Sequence, residues 1–136
     1  MEVETLAAEI VGTPGIEGIT LSGGEPFAQA GELLELVKIT NEAGLSTFLF
    51  TGYEIEELST SAQKQLLGMA DIVVSGRYIE AKRASSLTWR GSSNQKVHFL
   101  TSRYSAADML QAAELEIIID LVGRVTATGI PTNWVE

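Results

Sequence analysis

The sequence predicts an α/β fold with a mainly parallel sheet, and three observations lead to this class. Apolar runs typical of buried strands occur at 19–21, 46–50 and 71–75. Segments with apolar residues at helical spacing lie between them, and a glycine-containing turn follows each of the first two runs. Strands that alternate with helices in this way form βαβ crossovers. The runs are almost continuously apolar, so we expect the parallel sheet to be covered on both faces.

The first third of the chain begins with a short helix over 3–11, which places Leu6 and Ile10 on one face. A cluster of helix breakers at 12–15 ends it. The strand over 19–21 then runs into a Gly-Gly-Glu-Pro turn. Apolar residues from Phe27 onward recur at helical spacing until Gly44 supplies a stop, so a helix is predicted after the turn.

The rest of the chain repeats the unit and then departs from it. One or two helices over 54–70 follow the second strand, and a polar and basic loop over 76–95 follows the third. The loop is too polar for a core element, so we interpret it as a functional loop within one domain. The remaining predicted elements are a strand over 96–100, a helix over 106–113, and two strands over 114–120 and 124–128 around a turn at 121–123.

Length and composition predict one soluble domain over residues 1–136. The formal net charge is −9, and the nine Lys and Arg residues form no stripe, which argues against a nucleic-acid partner. No apolar run approaches the ~20 residues of a membrane span, and the acidic N-terminus does not resemble a signal peptide. We therefore expect a cytoplasmic protein with neither a nucleic-acid nor a membrane partner.

The chain contains no cysteine and a single histidine, His98. Disulfides, Cys-ligated zinc, thiolate nucleophiles and iron–sulfur ligation by this chain are therefore excluded. One histidine beside Phe99 and Leu100 is typical of a packed or surface residue, so no metal ligand and no catalytic residue are predicted.

Gly23, Gly24 and Glu25 lie between the first predicted strand and the helix that follows it, at the carboxyl end of that strand. Open α/β sheets and barrels place their ligands at this end. Glycines without Cβ atoms allow a ligand to approach the backbone, and the Glu25 carboxylate can accept from a ligand ammonium group. Pro26 suits the first turn of the helix. The alternative is an ordinary strand-to-helix turn.

Residues 18–29 resemble the glycine-rich segment of the radical SAM enzymes, in particular the activating enzymes for anaerobic ribonucleotide reductase and pyruvate formate-lyase. In that family the segment binds the methionyl amino group of S-adenosylmethionine (SAM). Further segments resemble the family in the same order: 50–53 with 56–58, which would border the SAM pocket, 71–78, 87–95 and the ending 129–131. The family's three-cysteine loop, which holds its 4Fe-4S cluster, has no counterpart in this chain.

The resemblance implies a partial (β/α) barrel of radical SAM type with its first strand missing, and a glycyl-radical enzyme or a complementary fragment as partner. SAM is the expected cofactor. Arginines of the basic loop could hold its carboxylate or a partner peptide, although solvated loop charges are the alternative. The predicted cofactor-binding residues are Gly23, Gly24, Glu25, Pro26, Thr51, Gly52, Arg77 and Arg90.

Two interpretations of the missing cysteine loop remain open. The chain is either a truncated or split activase, to which another segment brings the cluster, or a non-catalytic remnant that acts as a binding or interaction module. A phosphate-binding domain is weaker, because no Walker-type lysine follows the glycines. With the first strand missing, we expect one edge of the strand over 19–21 to lack a partner and to favour homo-oligomers.

Overall fold

The computed structural model of the protein describes residues 2–83, 89–111, 116–119 and 125–128. Three α-helices and six strands make up its regular structure, with short 3-10 helices between them. The helices are α1 (Val3–Val11), α2 (Ala30–Glu42) and α3 (Ser61–Met69). The strands are β1 (Gly18–Ser22), β2 (Ser46–Phe50), β3 (Ile72–Ser75), β4 (Lys96–Phe99), β5 (Glu116–Ile119) and β6 (Val125–Thr128).

The six strands form one sheet in the order β4-β3-β2-β1-β5-β6. The four central strands pair in parallel, and β4 and β6 are antiparallel strands at the two edges. This arrangement confirms the predicted α/β class with a mainly parallel sheet. Register between β1 and β2 begins at Gly18, which faces Ser46. A Cβ at Gly18 would overlap the Ser46 side chain, so this close pairing requires glycine.

The larger core cluster lies between the sheet and the three helices. Ile19, Leu49 and Val73 contribute from β1, β2 and β3, and Leu36 and Leu66 contribute from α2 and α3. The strands β1, β2 and β3 are neighbours in sequence order, so successive right-handed crossovers place their helices on the same side. This side of the sheet is the one that the helices bury.

The other face of the sheet carries a second cluster, in which Phe48, Ile72 and Val74 are buried. The Trp89 ring packs against Phe48 edge to face, with ring centroids 4.9 Å apart, and it also contacts Phe99. Both faces of the sheet are therefore covered, as the sequence predicts. Among the described residues, the second face is covered by Trp89 of the loop rather than by a helix.

The edge of β1 that the sequence predicts to be unpaired is occupied. β5 pairs with it in parallel, and Leu21 lies opposite Ile117 and Ser22 opposite Ile118. The two strands that the sequence predicts near the end of the chain, β5 and β6, pair antiparallel, and β5 supplies backbone partners for an edge that would otherwise expose N–H and C=O groups. The prediction of an open edge at β1 is wrong for this reason.

The predicted element boundaries hold closely for α1 and for β2. The predicted helix over 106–113 is instead a 3-10 helix over Ala106–Gln111. The loop over 76–95 contains a 3-10 helix at Glu80–Lys82 and an isolated bridge between Arg83 and Ser92. The turn at 121–123, the ending at 129–131 and the start of the 87–95 segment lie outside the described residues.

Candidate functional site

The carboxyl ends of β1, β2 and β3 meet at one edge of the sheet. β1 passes into Gly23 and Gly24, β2 into Thr51 and Gly52, and β3 into Gly76. Backbone bonds hold these ends together: Thr51 N donates to Val74 O at 2.9 Å and Gly76 N donates to Tyr53 O at 3.0 Å. The structure therefore brings the predicted glycine turn and the predicted Thr51-Gly52 segment to the same edge.

Glu25 connects the β1 end to the β2 end through its carboxylate. Oε2 accepts from Thr51 Oγ1 at 2.9 Å and from Phe27 N at 2.9 Å, and Oε1 accepts from Gly52 N at 2.7 Å. An ionised carboxylate offers about four acceptor positions. Three are filled by the protein in the described structure, so the carboxylate retains capacity for one further donor.

Thr51 is buried and serves as donor and acceptor at once. Its hydroxyl donates to Glu25 and accepts from Tyr53 N at 3.0 Å. The hydroxyl therefore determines the backbone path after β2 as well as the orientation of the carboxylate. Gly52 lies against the same group, since a Cβ there would be 3.6 Å from Glu25 Oε1.

The glycine turn has a backbone that other residues adopt with difficulty. Gly23 has φ 72° and Gly24 has φ 43°, so two consecutive residues are in the left-handed region. Such a conformation costs roughly 1–2 kcal/mol for a residue with a Cβ atom. Pro26 follows at the start of a 3-10 helix, where Glu25 caps Phe27 N. The turn therefore has a well-defined shape that exposes backbone groups next to the Glu25 carboxylate.

A small recess borders the glycine turn. Its free volume is about 10 Å³, and it is lined by Leu21, Ser22, Gly23, Pro26, Gln29 and Leu33. Ligand pockets typically hold about 300 to 1,000 Å³. The recess is therefore too small to enclose a ligand, and a ligand at the glycine turn would lie outside it on the sheet edge.

Arg77 lies at the same edge, but its guanidinium is paired. Nη1 and Nη2 donate to the two oxygens of Glu57 at 3.0 and 3.1 Å, in the two-point geometry that suits arginine and a carboxylate. The hydrogen bonds from Arg77 hold the pKa of Glu57 below its ordinary value, and Glu57 raises the pKa of Arg77. Arg77 therefore contacts a protein carboxylate at the position where the sequence predicts a ligand contact.

Arg90 differs from Arg77 because it has no ion pair among the described residues. Its Nη1 lies 3.5 Å from Gln95 O, a long hydrogen bond. Its Nε is buried and has no hydrogen-bond partner in the described part of the chain. Of the two predicted arginines, Arg90 is thus the one whose donors are less satisfied by the protein.

Residues 91–95 form a polar clamp on the segment that follows β3. Gln95 Nε2 donates to Gly76 O at 2.9 Å and Asn94 Nδ2 donates to Arg77 O at 2.8 Å. The fully buried Ser92 hydroxyl accepts from Ile79 N at 3.2 Å and donates to Asn94 Oδ1 at 2.6 Å. These side chains therefore support the backbone of an irregular loop.

The described residues contain no group of three or more His, Cys, Asp or Glu that could hold a metal ion. His98 instead shares a hydrogen bond of 2.8 Å with the buried Ser75 hydroxyl across the β3-β4 pair. Among the described helices, none combines the length and the apolar character that crossing a membrane requires.

The family model for the 4Fe-4S single cluster domain matches residues 1–98. The chain belongs to this family. The match extends through β1, β2, β3 and most of β4. It therefore includes the whole sheet edge at Gly23, Gly24, Thr51, Gly52 and Gly76, which we call the glycine edge. The resemblance to radical SAM activating enzymes predicted from the sequence is confirmed. The family is described by its 4Fe-4S cluster, whereas this chain has no cysteine that could bind one.

The anaerobic ribonucleoside-triphosphate reductase-activating proteins are similar to this chain. That of Escherichia coli K12 is 40% identical over 88 residues, which cover 62% of this chain and 56% of the relative. Those of Vibrio cholerae and Pasteurella multocida are 39% and 34% identical over 88 and 90 residues, again 62% of this chain, and cover 56% and 57% of the relatives. The chain spans about half the length of the curated relatives it matches. No solved structure matches it.

Two contacts of the edge escape sequence reasoning. The sequence places Glu57 only in the segment 56–58 that would border the SAM pocket, and it does not indicate that Glu57 binds Arg77, twenty positions away. The sequence also predicts that Glu25 accepts from a ligand, but it does not predict the three hydrogen bonds that Glu25 accepts within the protein. No local pattern signals either pairing, because both depend on which strand ends become neighbours.

Proposed function

We propose that this chain is the SAM-binding portion of a radical SAM activase that serves a glycyl-radical enzyme, of the anaerobic ribonucleoside-triphosphate reductase-activating kind. Within this proposal residues 1–136 form one domain, and the sheet corresponds to part of a (β/α) barrel. The proposal includes a cytoplasmic location and the reductase as partner.

One observation carries the proposal: two left-handed glycines and a carboxylate with one remaining acceptor position lie together at the carboxyl edge of a parallel sheet. A ligand ammonium could donate to Glu25 while its neighbouring atoms lie against the glycine backbone. Thr51 and Gly52 would keep the carboxylate oriented. Family membership and the similarity to the activating proteins support this assignment.

A SAM carboxylate would be held by Arg90 rather than by Arg77 in this proposal. The Arg77 guanidinium already makes two hydrogen bonds to Glu57, and a ligand would have to displace that carboxylate. The buried Nε of Arg90 lacks a described partner and would gain from an anion.

The residues present do not fit a 4Fe-4S cluster. Such clusters are held by thiolates, and the chain has none. We therefore derive no step through a cluster, and in this proposal the chain's own residues bind and orient SAM without cleaving it. The chain would be inactive alone.

Titration calorimetry with SAM tests the proposal. We expect binding with a Kd between about 10 μM and 1 mM, because only part of the family's set of contacts is available. Glu25→Gln should weaken binding at least about tenfold, because the amide has one acceptor oxygen and cannot attract an ammonium ion by charge. Glu35→Gln on the exposed face of α2 is the matched control and should bind as the wild type does.

Absence of heat with the wild-type chain would contradict the proposal, as would equal binding by Glu25→Gln. Melting temperatures of both variants should be measured alongside, so that unfolding is not mistaken for a lost contact.

The second candidate is a non-catalytic binding or interaction module. It is favoured by the absence of cysteine and by the internal hydrogen bonds that fill most of the Glu25 carboxylate. This candidate predicts no SAM binding by a chain that is otherwise folded, so the same titration decides between the two.

A further inference from the structure

The charges of this protein are strongly segregated along the chain. Residues 76–96 hold five of the nine Lys and Arg residues and one of the eighteen Asp and Glu residues, a formal charge of +4. The other four basic and seventeen acidic residues give the rest of the chain −13. A basic segment in an acidic protein attracts an acidic partner locally while the remainder repels anions.

Within this segment the residues 77–83 are all exposed. Tyr78 and Ile79 are 51% and 39% exposed and are among the few large apolar side chains that face solvent in the described residues. Lys82 and Arg83 follow on the same stretch. We call residues 77–83 the basic surface. Arginine and tyrosine are enriched in protein interfaces.

Arg77 is held by two hydrogen bonds to Glu57, whereas the other ion pair of the basic surface leaves its arginine accessible. Arg83 lies 3.8 Å from Glu80, and these side chains are 67% and 74% exposed. Exposed pairs of this kind contribute about 0 to 1 kcal/mol, so a partner carboxylate can compete for the arginine at little cost.

The backbone under the basic surface is held in place. The polar clamp of residues 91–95 binds Gly76 O, Arg77 O and Ile79 N. Gly91 lies flat against Tyr78, since a Cβ there would be 2.9 Å from the ring. A surface that is already ordered loses less conformational entropy on binding.

The basic surface also adjoins the candidate site. Gly76 N donates to Tyr53 O, and Arg77 binds Glu57, both on the segment that follows Thr51 and Gly52. A partner bound to this surface would therefore lie next to the glycine edge.

We infer that the basic surface is a docking site for an acidic face of the reductase that the proposed function assigns as partner. The inference rests on that proposed function. A protein is favoured over nucleic acid because exposed apolar side chains accompany the charges, and because the −13 of the remaining chain would repel an extended polyanion.

The test measures binding of the purified chain to the anaerobic ribonucleoside-triphosphate reductase of the same organism by biolayer interferometry. Lys82→Glu/Arg83→Glu should weaken binding at least about tenfold, mainly through slower association, and should reduce its salt dependence. Tyr78→Ala/Ile79→Ser should weaken it about tenfold with faster dissociation. The matched control is Lys38→Glu/Lys64→Glu, which changes net charge equally at exposed positions of α2 and α3 and should alter Kd less than about threefold.

Melting temperatures of the variants should match the wild type, because the altered side chains are exposed. The inference is overturned if the wild-type chain does not bind the reductase, or if the Lys82/Arg83 and control variants bind equally. It is also overturned if a single-stranded oligonucleotide binds with the same residue dependence, or if these residues instead mediate association of two copies of the chain in ultracentrifugation. SAM affinity is measured on the same samples. Absence of SAM binding by the wild-type chain contradicts the proposed function. If the wild-type chain binds SAM and the basic-surface variants bind the reductase as tightly as the wild type does, only the docking site is contradicted.

Discussion

The hydroxyl of Thr51 lies 2.9 Å from the carboxylate of Glu25, so the ends of two neighbouring parallel strands are joined by a buried side-chain hydrogen bond. The same hydroxyl accepts from Tyr53 N. This pair links the glycine turn after β1 to the segment after β2, and the candidate site depends on both remaining in place.

Thr51→Val should destabilise the protein by about 2 kcal/mol, because it removes one donor to Glu25 and one acceptor for Tyr53 N in a buried place. Thr51→Ser keeps the hydroxyl and loses one methyl group, so about 1 kcal/mol or less is expected. Urea unfolding of the three proteins measures both differences. Equal stability of the Val and Ser variants would show that the hydroxyl bonds contribute nothing.

Gly24→Ala and Gly31→Ala should have opposite effects on the free energy of unfolding. Gly24 has φ 43°, so an added Cβ is expected to cost about 1 kcal/mol or more. Gly31 lies in α2 with no atom within 4 Å of an added Cβ, and alanine there should stabilise by about 0.5 to 1 kcal/mol. Gly24→Val should also abolish SAM binding. Thermal unfolding measures the two stability changes, and calorimetry measures SAM binding. A Gly24→Ala variant as stable as Gly31→Ala would contradict the predicted cost of a Cβ at Gly24.

Tyr104 makes stability depend on alkaline pH. Burial, followed by the hydrogen bond to Glu17, raises its pKa from 10.0 to about 12. Because the pKa of Tyr104 is higher in the folded protein than in the unfolded chain, its contribution to the free energy of unfolding is fully present below pH 10, where the phenol is protonated in both states. This contribution is lost as pH rises toward 12. Melting temperature should fall over this window more steeply for wild type than for Tyr104→Phe. Parallel curves for the two proteins would exclude Tyr104 as the source.

Purified protein should contain no stoichiometric iron or sulfide after anaerobic reconstitution, because the sequence has no thiolate. Metal analysis and visible absorbance check this expectation. A chain that retains iron and sulfide in a fixed ratio would require ligands other than cysteine and would reopen the question of catalysis by this chain.

Local patterns in the sequence were sufficient for the elements themselves. The helix α1 follows from apolar periodicity and the strand β2 from a run of apolar residues. The turn at Gly23 and Gly24 follows from two consecutive glycines, which adopt left-handed backbone without a steric cost. The absence of cysteine is likewise a property of composition, and it excludes cluster ligation whatever the fold. The family resemblance rests on the same local segments.

Tertiary structure decided which of these segments meet. Glu25 and Thr51 are 26 positions apart, Arg77 and Glu57 are 20 apart, and β1 pairs with β5 from the far end of the chain. Such contacts depend on strand order and register, which periodicity does not specify, and so the sequence alone assigned Arg77 to a ligand and left the edge of β1 open. Backbone hydrogen-bond satisfaction and charge pairing act only once the sheet has formed, and they paired Arg77 with Glu57 and β1 with β5.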